Sequence, residues 1–118
     1  MRTDRFTAAY IQAIDFTETG EEEQPPAGTP LSPTYKARVW GDCRNFLEAY
    51  SSLLEDCGAT LEQAAHDLWL TRNGHGTGFW DRPEIYGEQL AAELTRAAKA
   101  MGSADPEFII NEVEAIEP

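Results

Sequence analysis

Both histidines, two of the three tryptophans and three glycines fall in one short stretch, residues 66–82, which reads His66-Asp67-Leu68-Trp69-Leu70-Thr71-Arg72-Asn73-Gly74-His75-Gly76-Thr77-Gly78-Phe79-Trp80-Asp81-Arg82. His75 beside Asp67 or Asp81 has the makings of a base and its orienting carboxylate. The nucleophile types within reach, Thr71, Thr77 and Cys57, have no neighbour that singles one out. Cys57, His66, His75 and Asp81 carry metal-ligand atoms, but no C-x-x-C or H-x-x-x-H spacing puts two of them on one face. A dinucleotide fingerprint fails because Phe79 stands where the third glycine belongs and the segment follows a helix. A P-loop fails for want of a Lys-Ser/Thr pair. Asp81, expected at the start of the next helix, disfavours a bound phosphate there.

The same residues have a plainer reading as a connector. Asn73-Gly74 closes a helix, Gly74, Gly76 and Gly78 let the backbone turn, and Trp69, Trp80 and Asp81 pin the two sides. Arg72 or Arg82 would then pair with Asp67 or Asp81. A mixture is expected, with Trp69 and Trp80 structural and Arg72, Asn73 and His75 turned outward as partner-binding residues, since recognition side chains collect on loops held by rigid elements. Phe79 anchors the far end with Trp80 in the connector reading and joins the partner-binding residues in the binding-surface reading.

The positioning elements follow from apolar periodicity. Phe6, Tyr10, Ala13 and Ile14 mark an N-terminal helix over 4–16, with Thr3 as its cap. Residues 18–31 have no apolar period, three prolines and the acids Glu18, Glu21, Glu22 and Glu23; they read as a mobile linker. Ser32-Pro33 opens the longest element, the expected central helix, which carries Tyr35, Val39, Cys43, Phe46, Leu47, Tyr50, Leu53, Leu54 and Cys57 up to a Gly58 cap. Thr60-Leu61-Glu62-Gln63 and Asp81-Arg82-Pro83-Glu84 both have the form of a capping box. They launch a shorter helix through Trp69 and a longer one through Tyr86, Leu90, Leu94, Ala97 and Met101. The expectation is one domain, mainly α: a bundle of about four helices, with a helical core over 32–102, an acidic tail over 103–118, and room for a short β-element from the Gly-rich segment and the tail.

At 118 residues the chain can bury a core without staples. Nine Lys+Arg against 21 Asp+Glu give a net charge of −12. That excludes an ordinary nucleic-acid-binding or anionic-membrane module, because such a chain cannot neutralise phosphates. No apolar run approaches the ~20 residues of a bilayer span, and a cytoplasmic location is expected. Cys43 and Cys57 stand ~21 Å apart along one helix, beyond disulfide reach. Two stretches without a basic residue, Glu18–Glu23 and the tail with Asp105, Glu107, Glu112, Glu114 and Glu117, supply −9 of the net −12. Glu21, Glu22, Glu23, Glu112 and Glu114 are the candidates for contact with a basic partner; solubility alone is the competing reading.

The block His66–Arg82 also closely resembles the signature of a family of small tailed-bacteriophage and prophage proteins, H-D-F-W-L-T-R-N-G-H-G-A-G-F-W-D-R, departing from it only at Leu68 and Thr77. The D-C-x-x-F at Asp42–Phe46 and the helix running to Met101-Gly102 are similar as well, whereas the Glu-rich tail departs from the short strand and turn of the family. The resemblance implies a phage origin and carries no reaction, cofactor or catalytic residue. Small acidic phage proteins as a class often bind a host defence or nucleic-acid-processing protein, as anti-CRISPR and DNA-mimicking anti-restriction proteins do. The expectation is therefore a phage accessory protein that inhibits such a host protein through a nucleic-acid-mimicking acidic surface. The alternative is a small enzyme or a metal- or small-molecule-binding domain built on Arg72, His75, Asp81 and Arg82.

Overall fold

The computed structural model describes residues 1–103 and 105–109. It is mainly helical: α1 (Thr3–Glu18), α2 (Pro33–Asp56), α3 (Leu61–Arg72), a 3-10 turn (Phe79–Asp81), the one-turn α4 (Pro83–Tyr86) and α5 (Glu88–Ala100). The four longer helices form a small bundle, as the periodicity predicts.

The caps show why the elements begin and end there. Ser32 Oγ accepts from the Tyr35 N–H at 3.1 Å ahead of Pro33, and Gly58 at φ 81 ends α2. Thr60 Oγ1 accepts from the Gln63 N–H at 3.1 Å, but the Gln63 amide reaches forward to Asp67 at 3.0 Å, so the box is half made. The second box does not form. Asp81 stays in the 3-10 turn, and Arg82 occupies the cap position without a side-chain cap bond. Gly87 at φ 80 then divides the expected long helix into α4 and α5. Helix α1 starts at Thr3, with Arg2 as its cap.

The bundle centres on α3, not on the longer α2. Ala64, Ala65, Leu68 and Trp69 are buried together with Asp67, Thr71 and Arg72. Helix α1 packs chiefly on α3, α2 lies against α1, and α5 packs on the 3-10 turn and α3. A helix covered on most sides has no single apolar stripe, which is why periodicity favours the one-sided α2. An aromatic row runs through the core: Phe6 and Phe79 each stack on Phe46 at 6.0 Å, and Tyr86 meets Phe79 edge-on at 5.2 Å.

Residues 19–31, most of the stretch that the sequence reads as a mobile linker, form a return tied by hydrogen bonds. The Gly20 N–H donates to the Pro25 carbonyl at 2.9 Å, the Gln24 amide to the Thr17 carbonyl at 3.1 Å, and the Gly28 N–H to Asp15 Oδ1 at 2.9 Å. The only β-type pairing among the described residues is an isolated antiparallel bridge between Leu31 and Phe108. The residues around Phe108 thus pair with the approach to α2, and the Gly-rich segment takes no part.

Candidate functional site

Built up residue by residue, the 66–82 block is mostly turned inward. Asp67 is fully buried on α3 and is met by three donors: Arg82 Nε at 2.8 Å, the Tyr86 hydroxyl at 2.7 Å and the Gln63 amide at 3.0 Å. Three charge-assisted or hydroxyl bonds satisfy the carboxylate and clamp α4 and the 3-10 turn to α3. Burial, and then the hydrogen bond to Asp67, push the Tyr86 hydroxyl far above its ordinary pKa. Arg82 is raised by its own hydrogen bond to Asp67.

Arg72 closes the other end of α3. Its guanidinium pairs with Asp42 on α2 at 2.9 Å and donates to the Gly102 carbonyl at 2.5 Å and the Tyr10 hydroxyl on α1 at 3.3 Å. Burial works against its charge, and Tyr10 and Asp42 outweigh it, so Arg72 stays a cation. Tyr10 is itself driven far upward by burial, against the pull of Arg72. Expected as an outward recognition residue, Arg72 is instead a buried latch between α1, α2, α3 and the end of α5.

Phe79, a partner-binding candidate in the binding-surface reading and an anchor in the connector reading, is wholly buried in the aromatic row, as the second requires. Its N–H donates to Thr71 Oγ1 at 3.0 Å, and Gly78 lies so close that a Cβ there would meet Thr71 Oγ1 at 2.1 Å. Trp69 is buried, and its indole N–H donates to Thr17 Oγ1 at 2.8 Å. Trp80 is the reverse of expectation: 39% exposed, with the Lys99 ammonium 5.7 Å from its ring centre. It faces away because its neighbour Phe79 takes the core position.

Asn73 caps α3, its amide donating to the Trp69 carbonyl at 3.1 Å. Gly74 and Gly76 make the turn at φ 68 and 79, and Asp81 is exposed. His75 is exposed over the edge of Trp69 and faces Glu18 at 3.5 Å, so neither Asp67 nor Asp81 is its partner. Arg72, His75, Asp81 and Arg82 do not converge on one point, as an enzyme built on them would need. Among the described residues no three His, Cys, Asp or Glu side chains come together as a cation site. Cys43 is buried, with its thiol pushed up to about 12 by burial; Cys57 ends α2, and both are free.

Glu21, Glu22 and Glu23 are exposed on the tied return, with Glu23 held at a left-handed φ of 71. Glu112 and Glu114 lie outside the described residues. Sequence reading missed Phe16, at the end of α1 just before this turn, whose ring is 84% exposed. Its offset from the Phe6–Tyr10–Ile14 face was the available signal. No helix among the described residues is long and apolar enough to cross a membrane. No protein-family model, curated protein or solved structure matches the chain.

Proposed function

We propose that this chain is a phage-type accessory protein of the host cytoplasm that binds, and thereby inhibits, a basic host protein handling nucleic acid. The observation that carries the reading is Phe16, an exposed apolar anchor bordered along the chain by Glu18 and the Glu21–Glu23 carboxylates. A large aromatic ring with charged residues around it is the form of a binding hot spot, and a negative field steers a basic partner toward it. The basic residues that would offset the field are partly withdrawn: Arg72 and Arg82 are spent on Asp42 and Asp67. Bonds within the return hold the backbone that carries the acids, so little backbone ordering is required on binding. The 66–82 block, in this reading, supplies the scaffold and His75 a neighbouring contact.

The test is affinity capture from bacterial lysate at low and high salt, with the parent chain, a Phe16→Ser variant and a Glu21→Gln/Glu22→Gln/Glu23→Gln variant, all checked for helicity. A retained nuclease or effector complex, released by salt and lost in both variants, is the expected result. Capture indifferent to salt and to both variants overturns the proposal.

A further inference from the structure

A second surface, separate from the Phe16 turn, lies between α2 and α5. The two helices run alongside one another without packing closely, since α2 is held by α1 while α5 is held by the 3-10 turn and α3. A trough is left open. One stretch is a cavity of about 260 Å³ lined by Asp42, Phe46, Tyr50, Ala97 and Met101. The next, about 490 Å³, is bounded by Leu53, Tyr86, Leu90, Glu88 and Glu93. The α2 residues 42, 46, 50 and 53 form one stripe at helical spacing, and 90, 93, 97 and 101 form the facing stripe on α5, so the two cavities are successive parts of one groove. From Asp42 to Leu53 it spans roughly 17 Å, about three helical turns. Leu53 is 44% exposed at its edge.

The groove's charge selects its occupant. Glu88 and Glu93 line one end, exposed Asp56 stands one turn beyond Leu53, and exposed Glu84 sits on α4 two residues before Tyr86. The lining holds no Lys or Arg; Arg44 and Arg96 adjoin lining residues in sequence and Lys99 lies two residues from one. Arg44 is held over Trp40 and beside Glu48, and Lys99 over Trp80, while the end with Glu88 and Glu93 has no basic lining residue. At the other end Asp42 is already paired with Arg72. We infer that this groove docks an amphipathic helix of a partner protein, with apolar residues at i, i+4 and i+7 seated among Tyr50, Met101, Leu53 and Leu90 and with Lys or Arg at the end beside Glu88 and Glu93. A second copy of this chain, itself carrying −12, is disfavoured by repulsion.

The inference does not depend on the Phe16 turn, and one titration separates the two. Three labelled synthetic helical peptides are followed by fluorescence anisotropy: one with the stated apolar and basic pattern, one with its apolar positions changed to Ser, and one with its Lys changed to Glu. The protein is used as the parent, as Leu53→Lys, as Glu88→Lys/Glu93→Lys, as the space-filling Ala97→Leu, and as the Glu21→Gln/Glu22→Gln/Glu23→Gln turn variant. Circular dichroism confirms folding. Expected are binding of the first peptide alone, a loss of about tenfold or more in each groove variant, and unchanged affinity in the turn variant. Equal binding of the Ser peptide, or groove variants that bind as the parent does, overturns the inference. Loss in the turn variant alone also overturns it and leaves the Phe16 reading standing.

Discussion

At the scale of the residue, the block that looked richest in chemistry spends most of its side chains on holding itself together. Gly78→Ala should be among the most damaging small changes: the new methyl has nowhere to go against Thr71 Oγ1, and urea unfolding should show a loss of about 2 kcal/mol or more. Trp69→Ala should cost about 3 to 5 kcal/mol, because it empties a buried site and orphans the Thr17 contact. Trp80→Ala, on a ring that is already partly in water, should cost far less than Trp69→Ala in the same urea series. His75→Ala should change stability by under about 0.5 kcal/mol. Were Trp80→Ala as costly as Trp69→Ala, the inward and outward assignments of this segment would be wrong.

Among the elements, α3 is the one the others must be fitted to, and its buried carboxylate is the fitting. Arg82→Ala leaves Asp67 buried with its strongest partner gone, and should cost about 3 kcal/mol. Asp67→Asn, which still accepts but has lost the charge, should fall between that and the parent in thermal melts. Helices α1, α2 and α3 were readable from apolar spacing and hydroxyl caps, since Phe6, Ser32 and Thr60 act locally. The centrality of α3 was not readable, because a helix enclosed on most sides loses the pattern that periodicity detects. Nor was the choice between Phe79 and Trp80 for the core: adjacent aromatics differ only in which way the 3-10 turn faces, and that is decided by Gly78 pressing on Thr71. Internal pairing of Arg82 with Asp67 was one of the open readings of the sequence. The role of Arg72 was beyond it, since its acceptors come from Tyr10, Asp42 and Gly102, far apart along the chain.

For the whole molecule, charge and burial set opposite responses to solution conditions. At −12 the fold repels itself, so moderate added salt should raise the melting temperature, the reverse of what exposed ion pairs alone would give. Alkali should act the other way. Cys43 and Tyr35 are pushed up to about 12 from ordinary values of 9.0 and 10.0, and Tyr10 and Tyr86 lie higher still, all first by burial. Each is an acid held neutral in the fold. Its contribution is complete below the unfolded-state value and is lost as pH climbs toward the folded one, so stability should fall from about pH 9 upward. A pH series of melts with flat stability between pH 9 and 12 would contradict this.

The Arg72 latch also bears on the order in which the chain can fold. Its acceptors are drawn from α1, α2 and the residues just past α5, so a chain emerging N-terminus first holds the guanidinium and its Tyr10 and Asp42 partners long before Gly102 is available. Helices α1 to α3 can associate early, but their shared cation is only partly satisfied, and Phe79 has not yet closed over Phe46. Closure must wait for the last turn of α5, which makes consolidation of the bundle a long-range event that follows the pairing of α1 to α3. Until then the half-built bundle presents its aromatic row to whatever else is in the cell.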